Sequence, residues 1–539
     1  MKISTKLVFD DEARQSALRG MKKVCKAVSQ TLGAAGRNIL INVAGYPTFS
    51  TKDGVTVTRY IHLEDPKEKC GADLIKGAAE QTNHRSGDGT SATTVLTYEI
   101  CRQAMKYLVT GASVQKLVKG IKYATEEVVK ELENSARELE SDADIGNVAN
   151  IALNNDEELS GLILEAIEKV GREGVISCQK SRDIKSSLEY LEGMNLTVGP
   201  YMINFLNPAT RECILDEAYV ICYNGHIRNF AEIKKLLDGM VMQRSSGIVK
   251  SVLIFCKEAN YAPIRDLLMN KEKDILNNCL IRTPGVEDQD RLDILHDIAL
   301  FTGGKVIDEF GGSLHNTNLE NLGYAKKVVV NKYSTMIFEG HGEKEDIQAR
   351  VEVIRKDMED EPNPTLRERA QTRIARLTTG IAIVNVGAAT EAELTEKKFR
   401  LDDALQSVSC AIESGIVPGG GVALLNVGKN IVLGDSLEID IENGKDILLN
   451  SLSAPIRTIL DNAGVRTDVI LEAIENSDSA SWGYDVSKGV LCDMFEAGIV
   501  DALKVVKESI LNSSSVACEL IKTQGLIISE ELEEKKQND

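Results

Sequence analysis

Gly87-Asp88-Gly89-Thr90-Ser91-Ala92-Thr93-Thr94 sets two glycines and one acid ahead of a run of hydroxyl-bearing residues that opens a helical pattern. Glycine lets backbone approach a ligand closely. The free amides and positive dipole end of a helix start favour a phosphate. The carboxylate of Asp88 would repel that phosphate unless a cation lay between them, so Mg²⁺ is the natural inference, an ion that takes a carboxylate or two together with phosphate and water oxygens. Taken alone, the stretch also fits an ordinary Asp-Gly turn followed by a threonine cap.

Outward from it, three more glycine turns add weight. Thr31-Leu32-Gly33-Ala34-Ala35-Gly36 can form an amide-rich turn, Lys52-Asp53-Gly54 places a base and an acid beside a third, and Pro418-Gly419-Gly420-Gly421 opens another helical pattern. None of these matches G-x-G-x-x-G or G-x-x-x-x-G-K-[ST]. The residues alone therefore point to an unconventional nucleotide site assembled from several glycine turns.

The rest of the chain bounds the possibilities. Its 539 residues are enough for several domains. The net charge of −19 argues against a duplex-DNA or anionic-membrane binder, and 4% aromatic residues argue against a base-stacking binder of single strands. The 11 cysteines show no C-x-x-C and no histidine pair at metal spacing, which reads as reduced, mostly buried thiols. No run approaches a membrane span, and the N-terminus lacks an apolar signal core, so a cytoplasmic location is expected. Helical patterns run over residues 11–32, 66–85, 90–110, 113–137 and 157–170. Short strands are expected at 38–43 and at Val55-Thr56-Val57. From Gly174 to Asn331, β-branched runs such as Val252–Phe255 and Lys327–Val330 alternate with helices, suggesting an α/β layer. Glu343–Arg376 reads as a solvated helical connection, and Ile381–Val386 as a strand followed by helical sequence to the end. Helical ends bracketing an α/β centre are most easily satisfied if the ends form one discontinuous domain.

Seven blocks occur in the order found in group I chaperonins: Thr31-Leu-Gly-x-x-Gly-Arg-Asn38, Lys52-Asp-Gly-Val55, Gly87-Asp-Gly-Thr90, Gly171-Arg-Glu-Gly-Val-Ile176, Val386-Gly-Ala-Ala-Thr-Glu391, Glu396-Lys-Lys398 and Gly419-Gly-Gly-Val-Ala-Leu424. The chain resembles that family from about residue 3 to 527. The resemblance implies an α+β multidomain fold: a mostly helical equatorial ATP-binding domain (1–134 and 414–539), a small intermediate hinge domain (135–191 and 382–413) and an α/β apical polypeptide-binding domain (192–381). It implies an ATP hydrolase that folds non-native polypeptides in the cavity of a homo-oligomeric, seven-membered ring, with ATP and Mg²⁺ as cofactors, and it allows K⁺. No nucleic acid or membrane partner is implied.

Residue by residue, the resemblance makes Asp88 the magnesium ligand, with Gly89, Thr90, Ser91 and Ala92 around the phosphates. Thr31, Leu32 and Gly33 would form the opposite phosphate wall, beside Lys52. Asp53 and Asp403 would act on the attacking water, and Gly420, Tyr484, Asp485, Ile499 and Asp501 would fall on the adenosine side, with Asp501 accepting ribose hydroxyls. Two apolar stripes, one with Ile233, Leu237 and Met240, the other with Ile264, Leu267 and Leu268, match the helices that flank the family's polypeptide groove; equally, such stripes can face their own domain's core.

The chain departs from the family at several points. Ala34-Ala35 replaces Pro-Lys in the first glycine turn, and Asp485-Val-Ser487 replaces an Asn-Ala-Ala adenine contact. Val198 stands where an arginine would pair with the glutamate matching Glu391 across subunits, and Arg466 stands where a glutamate would meet the arginine matching Arg457 in an opposite ring. A single or weakly paired ring with weak coupling between subunits is expected. A co-chaperonin lid is allowed by the resemblance, but the apical grooves it would use diverge here. Two rival readings are a passive holdase ring with little productive turnover and a small-molecule kinase or synthetase; scattered histidines give the latter no support.

Overall fold

The computed structural model describes residues 3–531 except 44–47, 140, 154–155, 173, 182, 209, 245–250, 286, 310–313, 362, 379 and 432–437. The chain divides into two compact units. One comprises residues 1–164, 178–187 and 385–539, the other 165–177 and 188–384.

The first unit is built on long helices, Asp10–Val28, Pro66–Ser86, Thr90–Val109, Val114–Ser135, Ile439–Ser451 and Leu503–Lys522. They enclose an apolar core that includes Met21, Ile75, Leu96, Ile100, Leu117, Ile121, Leu448 and Ile510. Close helix contacts rest on glycine. A Cβ on Gly71 would lie 1.8 Å from the Ala17 carbonyl oxygen, and one on Gly120 would lie 2.1 Å from that of Ile441. Strands Ile3–Phe9 and Gly525–Glu531 pair antiparallel, from Ile3 opposite Glu531 to Phe9 opposite Gly525. Val55–Val57, expected as a strand, instead lies within the helix Gly54–Tyr60. Its β-branched residues prefer strands only weakly. Asp53 caps the first turn, accepting from the amides of Val55 and Thr56, and burial of Val55 and Val57 completes the helix. The expectation of helix alone after residue 386 also fails, because short antiparallel ribbons at 416–418 with 500–502 and at 482–485 with 490–493 interrupt it.

The second unit holds a seven-stranded mixed sheet in the order Gly193–Leu196, Thr335–Gly340, Gly323–Val330, Cys213–Ile227, Ser251–Ala259 and Asn277–Arg282, with Val306–Asp308 paired to Cys213–Ile227. Val252 to Cys256 are buried without interruption, as expected of a parallel central strand covered on both faces. Helices Ala231–Arg244 and Tyr261–Glu272 turn their apolar stripes inward. Ile233, Leu237, Met240, Ile264 and Leu267 are at most 5% exposed and belong to the unit's own core, and Leu268 packs against it. The assignment of these side chains to polypeptide binding is thereby corrected. The amphipathic pattern correctly marks a buried face, and that face covers the sheet. Glu343–Arg376 is likewise more than a solvated connection. It forms helices Lys344–Asp360 and Pro364–Thr378, which bury Val351, Ile354 and Leu377 in the same core. Arg373 also holds Asp297 with two hydrogen bonds of 2.7 and 2.8 Å.

Candidate nucleotide site

Helix Pro66–Ser86 ends at Gly87 (φ 70°), and helix Thr90–Val109 begins at Gly89 (φ 83°) with no side chain capping it. Both glycines are required on two counts. Their φ values are left-handed, and an added Cβ would lie 1.8 Å from Gln406 Oε1 at Gly87 and 2.7 Å from Ser509 Oγ at Gly89. Between them, Asp88 accepts from the Gly89 amide at 2.6 Å through one oxygen and from Ser407 Oγ at 3.0 Å through the other. An uncapped helix start beside an oriented carboxylate has the chemistry for a metal-bridged phosphate.

Two further turns close on this helix start. Thr31 Oγ1 lies 3.2 Å from Ser91 Oγ and donates to the Val28 carbonyl at 2.8 Å. Asn462 Nδ2 fastens the turn by donating to Ser29 O and Leu32 O, at 2.8 and 2.9 Å. Gly33 there has φ 82°. Gly54 lies so close that a Cβ would fall 2.4 Å from Ser91 Oγ and 2.8 Å from Thr90 Oγ1. The Lys52-Asp53-Gly54 turn is thus seated on the hydroxyls of Thr90 and Ser91. Asp53 is fixed by the amides of Val55 (3.0 Å) and Thr56 (2.8 Å) and by the Thr56 hydroxyl (2.6 Å). Burial lowers the Lys52 pKa and nearby Arg400 lowers it further, against the pull of Glu396.

The third acid comes from helix Glu391–Ser414. Asp403 lies one turn before Ser407, so the two share a face. Burial drives the Asp403 carboxyl well above the usual carboxylate range, with repulsion from Asp53, Asp88 and Asp402 adding to it and Arg59 opposing. Burial also raises Asp88, as does Asp53, against the stabilising bonds from Gly89 and Ser407. Asp53, Asp88 and Asp403 therefore form one electrostatic cluster short of positive charge. Among the described residues no group of three or more histidine, cysteine or acidic side chains is arranged to hold a metal by itself.

On the opposite side, strand Ile416–Pro418 pairs with Val500–Ala502, placing Val417 opposite Asp501. The Gly419 amide donates to Ile499 O at 2.9 Å, and Gly420 and Gly421 take φ 65° and 79° before helix Val422–Asn430. Burial and Asp88 push the Asp501 carboxyl up to about 7, although the Gly420 amide bonds it. Tyr484 and Ile499 pack on an apolar floor of Val422, Leu425 and Met494. Asp485, expected on the adenosine side, has its carboxylate engaged within the chain. Its carboxylate is buried in its own hairpin turn, accepting from the amides of Ser487 (2.9 Å) and Lys488 (3.1 Å) and pairing with Lys488 Nζ at 3.3 Å.

Thr31, Gly54, Asp88, Gly89, Thr90 and Ser91 are thus joined by direct contact, Asp53 and Asp403 join through charge, and Asp501 connects to Asp88 electrostatically. Ser407, which binds Asp88, escaped the sequence reading; its one signal was the four-residue spacing from Asp403. A cavity of about 980 Å³ lined by Val95, Tyr98, Arg102 and Arg457 borders the same long helix further along, and none of the named acids lines it.

Glycine turns gathered on an uncapped helix start, acids drawn from three separate stretches, and a discontinuous helical unit carrying an α/β body within the chain define the chaperonin class. The chain belongs to the TCP-1/cpn60 chaperonin family, whose profile it matches over residues 24–531. Among solved structures it is similar to the chaperonin gp146 from the bacteriophage EL 2 (Pseudomonas aeruginosa) in the presence of ATP-BeFx. In crystal form II the identity is 20% over 97% of this chain and 99% of that one, with a TM-score of 0.72. Crystal form I gives the same identity and coverage with a TM-score of 0.66. At that identity the likeness establishes a shared fold. Among the described residues no helix is long and apolar enough to cross a membrane.

Proposed function

We propose that this chaperonin binds and hydrolyses Mg-ATP in its helical unit and uses the cycle to capture, enclose and release non-native polypeptide in a homo-oligomeric ring. The observation that carries this reading is the convergence of Asp53, Asp88 and Asp403 on one uncapped helix start. Asp88 would hold Mg²⁺, which supplies charge neutralisation at the phosphates. The amides of Gly89 to Ala92 and the Thr31–Gly33 turn would hold phosphate oxygens, with Lys52 alongside. Asp53 and Asp403 would orient the attacking water, the positioning on which phosphoryl transfer depends. Gly420, Tyr484, Ile499 and Asp501 would receive the nucleoside. A three-domain division with a hinge carrying Asp403 would couple turnover to closure.

Ring assembly is supported by two short ribbons whose outer edges are unpaired among the described residues and whose apolar side chains are exposed. Leu7, Phe9 and Ile527 are 54, 60 and 75% exposed on the terminal ribbon, and Leu40 is 75% exposed on Ile39–Ile41, which pairs with Phe49–Thr51. Free edges of this kind join head to tail between copies. Single or weak ring pairing is supported by Arg457, which pairs with Asp468 of its own chain at 2.8 Å. Polypeptide contact would fall to outward side chains such as Tyr261 and Met269, 69 and 42% exposed on the helix whose other face is core.

Refolding of a chemically denatured enzyme tests the proposal. Recovery should rise several-fold when Mg-ATP is added to the substrate–chaperonin complex. Equal recovery with and without nucleotide would leave only the holdase reading.

Asp501 gives a second check. A half-buried acid whose pKa is raised on folding binds a proton more tightly in the native state, so stability is lost as pH rises from the unfolded value near 4 to about 7 and stays low above it. Asp501→Asn should therefore raise the melting temperature of the nucleotide-free protein by several degrees at pH 8, leave it nearly unchanged at pH 4, and weaken ATP binding. Calorimetric scans at the two pH values measure this, and an equal shift at both would rule out the buried charge as its source.

A further inference from the structure

A hydroxyl inside a helix commonly returns its proton to the carbonyl one turn back. Three in the helical unit do so: Thr94 donates to Thr90 O at 2.9 Å, Thr97 to Thr93 O at 2.7 Å and Ser451 to Ile447 O at 2.7 Å. Ser407 departs from that habit. It is 4% exposed inside helix Glu391–Ser414, and it sends its proton out of the helix to Asp88 Oδ2 at 3.0 Å.

That bond is the centre of a stripe. Asp403, Gln406, Ser407 and Cys410 follow one another at spacings of three and four, which sets them on one face of the helix. Gln406 stands over Gly87, where an added Cβ would lie 1.8 Å from its Oε1. Cys410 Sγ donates to Ser86 O at 3.5 Å. The stripe therefore meets Ser86, Gly87 and Asp88 with one contact each, and helix and turn lie in the same compact unit. The neighbouring acid, Asp402, is engaged elsewhere and accepts from Cys178 Sγ at 2.7 Å.

The three contacts differ in strength. The sulfur bond is long, and Gln406 over Gly87 is a packing contact. Only Ser407 gives a hydroxyl proton to a carboxylate, the stronger kind of hydrogen bond. Its acceptor is a fixed post, because the other Asp88 oxygen takes the Gly89 amide at 2.6 Å. Both partners are side chains of the chain itself, so the bond forms without a ligand's help.

Resting on the roles proposed above for Asp88 and Asp403, we propose that Ser407 is a positioning residue for ATP hydrolysis, whose bond to Asp88 latches the stripe onto the Ser86–Asp88 turn and thereby sets Asp403 against the acid cluster. Ser407 touches neither nucleotide nor water in this scheme. It acts through the carboxylate that it binds and through the helix that it holds, and about 6 Å of rigid helix carries the constraint to Asp403.

The test compares the full-length wild type with Ser407→Ala, which removes one buried oxygen and leaves a stronger helix former in its place. N-Ethylmaleimide is added without nucleotide, and mass spectrometry reads the modification rate of each cysteine. Cys410 is 6% exposed and lies against Ser86, and release of the stripe uncovers it, so its labelling should quicken about tenfold. Cys101 and Cys518, in the core of the same unit, should keep the wild-type rate, which separates release of the helix from general loosening. Ser407→Ala combined with Asp88→Ala should label Cys410 no faster than Asp88→Ala alone, since either change breaks the same bond. With Mg-ATP, kcat of Ser407→Ala should fall about tenfold while KM stays within about twofold. Equal Cys410 labelling in wild type and Ser407→Ala would overturn the latch. An unchanged kcat beside an active wild type would overturn its bearing on hydrolysis. A wild type whose Cys410 labelling depends on Ser407 but which hydrolyses no ATP would keep the latch and remove the function proposed for the unit.

Discussion

An Asp403→Ala variant will hydrolyse ATP about a hundredfold more slowly than the wild type, within the range that positioned acid–base groups contribute, while binding the nucleotide within a few-fold as tightly. The split follows from the geometry. Under the proposed assignment the phosphates would meet the Gly89–Ala92 helix start and the Thr31 turn, whereas the Asp403 carboxylate lies in the field of Asp53 and Asp88, where an attacking water would stand. Removing it also relieves repulsion within an acidic cluster, so affinity has no electrostatic reason to fall. Steady-state phosphate release and equilibrium nucleotide titration separate the two quantities. An unchanged turnover would assign the water to other groups, and a lost affinity would make Asp403 a ligand.

Asp88→Asn should abolish the benefit of magnesium. In the wild type, Mg²⁺ should raise ATP affinity by about two orders of magnitude, because a half-buried carboxylate and the phosphates repel each other until a divalent cation lies between them. Asparagine retains an oxygen for the Gly89 amide, whose bond to Asp88 is 2.6 Å, and can still meet the Ser407 hydroxyl, so the loop should hold its shape. Metal-free ATP should then bind the variant at least as well as the wild type, with Mg²⁺ adding less than about threefold. Isothermal titration with and without the cation measures the difference directly. A variant that keeps the full magnesium effect would place the ion elsewhere.

The glycine turns announced themselves in the sequence because positive φ and close backbone approach leave few other residue choices; Gly87, Gly89, Gly33 and Gly420 all take that conformation. The long helices were legible from their periodicity for a similar reason. The failures share a different cause. Val55–Val57 was misread because a side-chain cap from Asp53 outweighs a modest strand preference, and capping is a three-dimensional act. The Ile233 and Ile264 stripes were ambiguous because periodicity reports that a face is covered and is silent on what covers it. Asp485 is placed by position in the sequence, which is silent on the amides of Ser487 and Lys488 that both donate to its Oδ1. For Ser407 the four-residue spacing from Asp403 is too weak a signal, since a hydroxyl on a helix is commonplace until an acid 319 positions away is found against it.

The missing side chain at Gly54 has a temporal consequence. With Ser91 and Thr90 filling the space a methyl group would need, two of the three acid-bearing segments are locked in register like a key in its slot. Under the proposed chemistry, only the segment bearing Asp403 and Ser407 is left to set the tempo. How long a captured client has to find its shape would then depend on the dwell of a single helix, which acts as a stopwatch rather than a collective clock.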